Sequence, residues 1–187
     1  MDKNMIQRWI HAIMTLAAIA VLSVSCREDE WFDPSPAARE GYVALRFSAD
    51  VPAMEKVATR AVDPDGGGVQ DMTLFCFDSY GLFITTVTAE VISTDVSNGT
   101  FQAQVPENTR TVHFLANQVM TDFEQDQFRS KSEAEVMALL EGSSGRMIYW
   151  ARFACDNSTD ELKKQTIAQQ MSGKGNSITM LRNHAKV

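Results

Sequence analysis

The sequence is short of the residues that carry chemistry. Of its three histidines, only His113 and His184 lie beyond the first thirty residues, and no GxSxG, HExxH or phosphate-cradling glycine motif accompanies them. His113 falls in an apolar, strand-like run and His184 in the terminal one, where an inward-facing histidine is ordinarily a hydrogen-bonded core residue. The three cysteines form neither a CxxC pair nor a Cys/His ligand spacing, which argues against zinc. Two aspartates in "DPDGGG", Asp63 and Asp65, lack the regular ligand ladder of an EF-hand, which argues against calcium. Lys and Arg total 17 against 24 Asp and Glu, a net charge of −7. With no basic cluster, nucleic acid is a poor candidate partner. The expectation is a protein that is not an enzyme, with no metal and no cofactor.

Long apolar runs are also scarce, and the one that stands out is at the N-terminus. Lys3 and Arg8 make a basic start, and "IHAIMTLAAIAVLSVS" runs from Ile10 to Ser25, too short to span a bilayer comfortably, where about 20 apolar residues are needed. The pattern is a secretory signal, so the chain is expected to leave the cytoplasm. It closes in "VLSVSC", which looks like a bacterial lipobox with Ser23 where leucine is usual. Cleavage before Cys26 lets its thiol and new amine take acyl chains such as palmitate. Each buried methylene anchors by about 0.8 kcal/mol, so several chains on one cysteine make a stable tether. The competing reading is an ordinary signal with a cysteine nearby. "REDEWFDPSP" follows, acidic and proline-bearing, suited to a solvated tether. It resembles the surface-export signal of Bacteroidales lipoproteins, and a plain linker reads the same way. The boundaries expected are a signal at 1–25, a tether at 26–40 and one domain at 41–187.

Within that domain the dominant period is two. "GYVALRFSADV" places Val43, Leu45, Phe47 and Ala49 on one face and Ala44, Arg46 and Ser48 on the other, a half-buried strand. "MTLFCFDS" and "LFITTVTAEVI" are two β-branched and aromatic runs separated by Tyr80 and Gly81, which predicts a hairpin. Cys76 sits in the first of them, where a small buried hydrophobe fits, and Cys76 and Cys155 are read as free thiols. Asn98 and Gly99 supply the strongest turn signal in the chain, ahead of "FQAQV". Pro106 and Asn108 mark another turn before "RTVHFLANQ". Four strands in meander-like succession predict antiparallel sheet.

Beyond Asn117 the period changes. "SEAEVMALLEG" opens with Ser132 and Glu135 at capping-box spacing and predicts a short helix ending at Gly142. "STDELKKQTIAQQMSG" repeats that logic from Ser158 and Glu161 to Gly173, with Leu162 and Ile167 as apolar anchors. "RMIYWARFA" between them, and "SITMLRNHAKV" at the end, read as strands.

Taken in order, the lipobox Cys26, "YVALRFS" followed by "ATRA", the paired "VQDMTLFCFDSYGLFI", "VPENTRTVHFLANQ" and "LRNHAKV" resemble the fimbrillins of Bacteroidales, the major fimbrial subunits and Mfa-like lipoproteins. The resemblance implies a mainly β fold, an antiparallel β-sandwich of the fimbrillin N-terminal, transthyretin-like kind with short helical insertions. The family's C-terminal domain has no counterpart here. It further implies an outer-membrane lipoprotein precursor cut by an arginine-specific protease after the first strand, between Arg60 and Ala61. Losing the segment 41–60 takes a strand out of the sheet, and Val43, Leu45 and Phe47 are its removable plug. A neighbouring subunit, self or related, then fills the gap by strand addition in a surface fimbrium that supports adhesion. A second reading from another class is an uncut surface lipoprotein that binds a glycan or host protein through Trp31, Tyr80 or Trp150. "NST" at Asn157 fits an N-glycosylation pattern, which the bacterial signal makes incidental.

Overall fold

Two sheets face each other across one apolar core in the computed structural model, which describes residues 38–51, 69–94, 98–117, 125–140 and 149–182. The chain divides into the units Met1–Ser35 and Pro36–Val187, and every described residue belongs to the second. The signal, Cys26, nearly all of the tether, Trp31, Arg60, Ala61, Gly142 and His184 lie outside the described residues.

The first sheet has the order β4-β5-β1-β8, built from β1 (Tyr42–Asp50), β4 (Glu90–Thr94), β5 (Asn98–Pro106) and β8 (Ser177–Thr179). The second has the order β3-β2-β6-β7-β9, built from β2 (Met72–Phe77), β3 (Phe83–Thr88), β6 (Thr111–Ala116), β7 (Tyr149–Ala154) and β9 (Leu181–Arg182). The chain is thus mainly β, and its strands run as antiparallel neighbours in pairs, β2–β3, β4–β5 and β6–β7, with the chain changing sheet between one pair and the next rather than forming the single meander expected. β1 and β8 are parallel while the other pairs are antiparallel, so the arrangement is not purely antiparallel.

Alternation explains which face each strand buries. Leu45, Phe47 and Ala49 of β1 and Phe101, Ala103 and Val105 of β5 face inward, against Leu74, Cys76, Val112, Phe114 and Ala116 from the second sheet. Gln102 and Gln104, on the other face of β5, are half-exposed, as a sheet with one wet face requires. β2 and β6 are buried along their whole length, because the second sheet is covered on its far side too. There Phe75, Phe77 and Leu115 pack against Phe128, Val136 and Leu140 in a separate cluster. Phe128 ends a 3-10 turn, Gln125–Phe128, and the other two come from helix α1 (Glu133–Leu140).

Helix α1 starts where its capping box does. The Ser132 backbone N–H donates to Glu135 Oε2 at 2.9 Å, and Glu135 N–H donates back to Ser132 Oγ at 3.4 Å, satisfying two otherwise orphan donors. The β2–β3 hairpin docks against this end, with Glu133 N–H donating to Gly81 O at 2.8 Å. At its tip Asp78 Oδ1 accepts from the N–H groups of Tyr80 and Leu82 at 2.8 and 2.9 Å. Gly81 takes a φ of 73° there, a conformation that suits a residue without Cβ.

Three expected elements divide in two. "LFITTVTAEVI" forms β3 and β4, in different sheets, with buried Ala89 between them. "STDELKKQTIAQQMSG" forms α2 (Asp160–Lys164), capped by Thr159 rather than Ser158, and α3 (Ile167–Ser172), capped by Thr166 in its own box with Gln169. A second cap inside the run stops the first helix. "SITMLR" forms β8 and β9, and buried Met180 carries the chain across from one sheet to the other. Asn98 and Gly99, expected in a turn, are the first residues of β5.

Candidate functional site

The plug residues inferred from the resemblance lie together on β1, an inner strand. Nine residues of β1 pair in unbroken antiparallel register with β5, from Tyr42 opposite Pro106 to Asp50 opposite Asn98. The side chains that point inward are increasingly enclosed along the strand: Val43 is half-buried, Leu45 and Phe47 are 1% exposed and Ala49 is 0%. Phe47 is wedged between two rings. Phe101 stacks on it at 5.7 Å from the neighbouring strand, and Phe114 meets it edge-on at 4.9 Å from the opposite sheet. Such offset and edge-on contacts are the favoured aromatic geometries and add to the burial itself.

The other edge of β1 is held over a much shorter length. β8 pairs in parallel with only Ser48, Ala49 and Asp50. Ser48 N–H donates to Asn176 O and Met180 N–H to Asp50 O, both at 2.8 Å, while Ser177 Oγ donates to Asp50 Oδ2 at 2.7 Å. Among the described strands, β8 has no other partner than β1. Beside this edge α3 packs on β1, with Ile167 and Met171 buried in the shared core. Helix α3 is tied down by buried Gln170, whose Nε2 donates to Asp156 O and Leu162 O while its Oε1 accepts from Asp156 N–H. Arg110 reaches from the start of β6 to the end of α2, where Nη2 donates to Lys163 O at 2.7 Å and satisfies a terminal carbonyl.

From Asp50 the chain passes through half-buried Val51 and returns at fully buried Val69. The intervening residues 52–68 hold Arg60 and Ala61 and are not described.

A second polar constellation sits on the far face of the second sheet. His113 is 3% exposed; its Nδ1 accepts from Trp150 Nε1 at 2.9 Å and its Nε2 lies 2.8 Å from Glu133 Oε1. An indole N–H only donates, so Nδ1 is the unprotonated nitrogen and Nε2 carries the hydrogen that it gives to Glu133. Arg152 Nε donates to the same Oε1 at 2.6 Å. Burial holds the His113 pKa below its ordinary value, opposed by the Glu133 carboxylate beside it. The hydrogen bond from Arg152 holds Glu133 below the usual carboxylate range. Both imidazole nitrogens are thus committed within the protein, an arrangement that ties α1 to β6 and β7 and leaves no nitrogen for a substrate.

The remaining candidates differ in exposure. Tyr80 is 86% exposed at the hairpin tip, whereas Trp150 is half-buried with its N–H used. Cys76 and Cys155 are free and buried. Burial pushes the Cys76 thiol up to about 12 and raises that of Cys155, with Arg110 pulling the other way. Among the described residues no group of three or more His, Cys, Asp or Glu is placed to hold a metal ion, and no helix is long and apolar enough to cross a membrane. Asp50, Ser177, Arg110, Gln170 and the Trp150–His113–Glu133–Arg152 chain are contributions that periodicity does not reveal, because each depends on a partner distant in sequence.

No protein-family model, curated protein or solved structure matches this chain.

Proposed function

We propose that this chain is a structural subunit of cell-surface fimbriae, exported as an outer-membrane lipoprotein through Cys26, cut between Arg60 and Ala61, and polymerised by strand addition in support of adhesion. The fold that goes with this reading is the N-terminal β-sandwich of the fimbrillins. Supporting it most is the position of β1: a nine-residue inner strand, carrying Leu45, Phe47 and Ala49 into the core, is joined to the rest of the domain through the residues that hold Arg60. One cut there leaves the strand attached by packing and hydrogen bonds alone. Its departure opens the full edge of β5 beside an apolar floor, which is a template for another strand.

Incubating the full chain with an arginine-specific protease is expected to give a new N-terminus at Ala61 and to start assembly, and Arg60→Ala is expected to stay unassembled. Fibres built from intact or differently cut chains overturn the reading.

A second reading, the uncut lipoprotein that binds a glycan or host protein, is favoured by Tyr80, a nearly fully exposed aromatic on a tightly hydrogen-bonded turn. Glycan binding that is lost in Tyr80→Ala and retained in Arg60→Ala, with no assembly defect in the latter, supports it over the first.

A further inference from the structure

We propose that His113 and Trp150 form an acid-operated clasp: a proton on His113 Nδ1 releases the indole from the flank of the far-side cluster and leaves it exposed on the second sheet. Nothing in this depends on how β1 is read.

The hydrogen bonds make the two states incompatible. In the neutral ring Nδ1 accepts from Trp150 Nε1–H at 2.9 Å, and Nε2–H is given to Glu133 Oε1 at 2.8 Å. An imidazolium carries a hydrogen on both nitrogens, and an indole N–H can only donate. The added proton therefore sets two donors head to head. Turning the imidazole over brings no relief, because both of its nitrogens are then donors. One of the two rings has to move.

The surroundings decide which. His113 is 3% exposed on β6, between β2 and β7, with the Phe77 ring of β2 edge-on at 5.6 Å. Among the described residues, the charged groups that bear on it are Glu133 from α1 and Arg152 from β7. Arg152 holds Glu133 by two bonds, Nε to Oε1 at 2.6 Å and Nη2 to Oε2 at 3.3 Å. The carboxylate thus stays in place as a counter-ion, and its bond from Nε2–H becomes charge-assisted on both sides. The imidazolium is gripped harder than the neutral ring was.

Trp150 is the looser partner. Its side chain is half-buried at the edge of the cluster, and its single N–H is the one that loses its acceptor. Across the strands it stands between Leu115 of β6, 4% exposed, and Leu181 of β9, 55% exposed. The row therefore opens to solvent on the Leu181 side, and the indole turns that way. An aromatic ring then joins the apolar surface that Leu181 already presents.

The release belongs to the acid side of neutrality. Burial disfavours the cation, Glu133 favours it and the Arg152 charge disfavours it, with burial prevailing, so the proton arrives below the ordinary histidine value of 6.5. Glu133 is itself held below the usual carboxylate range and is still ionised at the onset.

The test uses the full chain with Trp9→Phe and Trp31→Phe, which leaves Trp150 as the only one of the three tryptophans. As pH falls from about 8 to about 4, its emission is expected to shift to longer wavelength and its quenching by acrylamide to rise. Both changes are expected to be reversible, to share the midpoint of the His113 NMR titration and to leave far-UV circular dichroism unchanged. His113→Asn keeps an acceptor near the place of Nδ1 and cannot take the proton, so its emission is expected to stay level. Hydrogen exchange at Trp150 Nε1 in the wild-type chain, read by NMR, is expected to quicken at the same midpoint whether or not that variant folds. Emission and exchange that hold steady while His113 takes up its proton overturn the clasp. So does a red shift that persists in His113→Asn, or one that comes only with loss of the far-UV signal, which is unfolding.

Discussion

Phe47→Ala tests whether β1 is wedged into the core as its geometry requires. The side chain is 1% exposed, so the truncation leaves a hole between two rings, Phe101 and Phe114, that are themselves fully buried and held by neighbouring strands. Buried Phe to Ala changes cost about 3–5 kcal/mol where the surroundings do not collapse. Taking about 4 kcal/mol and a urea m-value of about 2 kcal/mol/M puts the loss in midpoint near 2 M. For a domain of this size each kcal/mol lowers Tm by about 2–4 °C, hence about 8–16 °C in total. Equilibrium urea unfolding of the uncut chain, followed by tryptophan fluorescence and by circular dichroism, measures it. Arg46→Ala, on the outward face of the same strand, is the control and is expected to stay within about 0.5 kcal/mol. Phe47→Leu, which fills part of the hole, is expected to fall between them and remains measurable if the alanine variant does not fold. A Phe47→Ala loss below about 1 kcal/mol, level with Arg46→Ala, refutes the wedge and with it the account of β1 as the plug of the sheet.

Acid unfolding is expected to proceed through two windows. The folded pKa of His113 lies below its ordinary value, so the unfolded chain binds the proton first; stability is full above about pH 6.5 and declines below it until the folded pKa is passed. Glu133, also lowered, holds its contribution above the usual carboxylate range and surrenders it as pH falls through the folded value. Urea midpoints between pH 3 and 8 measure both, and Trp150→Phe, by freeing Nδ1 for a proton, is expected to bring the His113 NMR titration closer to the ordinary value. A Trp150→Phe titration at lower pH than wild type refutes the tautomer assignment. Gly99→Ala forces its Cβ toward a Phe101 ring that is already enclosed; calorimetry is expected to show a loss of about 1–3 kcal/mol, and a change under about 0.5 kcal/mol means that the ring moves freely. In iodoacetamide labelling at pH 8, Cys76, with its thiol pushed up to about 12, is expected to stay unmodified until the chain unfolds. Labelling at Cys76 that keeps pace with Cys155 contradicts the burial assigned to it.

Strand positions were the legible part of the fold, since a period of two leaves Leu45, Phe47 and Ala49 no choice of face once one side is wet. Sheet membership was not legible. The strand run from Phe83 to Thr94 carries one continuous β-branched signal, and what divides it is where Ala89 finds room and where each half finds a partner; Ala89 N–H goes to Met72 O at 2.9 Å. The Asn98-Gly99 pair misleads for a related reason. It has the composition of a tight turn, yet the glycine is required inside β5 because the Phe101 ring occupies the place of its side chain. Helix termini show both outcomes: the Ser132 box is local and readable, whereas Ser158 lost to Thr159, a shift of one residue of the kind that caps commonly leave open. For the candidate site, alternation gives Val43, Leu45 and Phe47 a common face while only the resemblance gives them a role, and Asp50 with Ser177 joins residues too far apart for any local pattern to connect.

The second sheet keeps a separate apolar cluster on its far side, under α1, to which β1 contributes no residue. That division bears on time rather than on energy. If β1 leaves as proposed, Phe75, Phe77, Leu115, Phe128, Val136 and Leu140 lose no partner within their own cluster, and the His113–Glu133 contact beside them involves no residue of β1. Departure of β1 would then be a local event rather than a global one. On the proposed reading, a chain in that condition would have a lifetime in which to meet the strand that completes it.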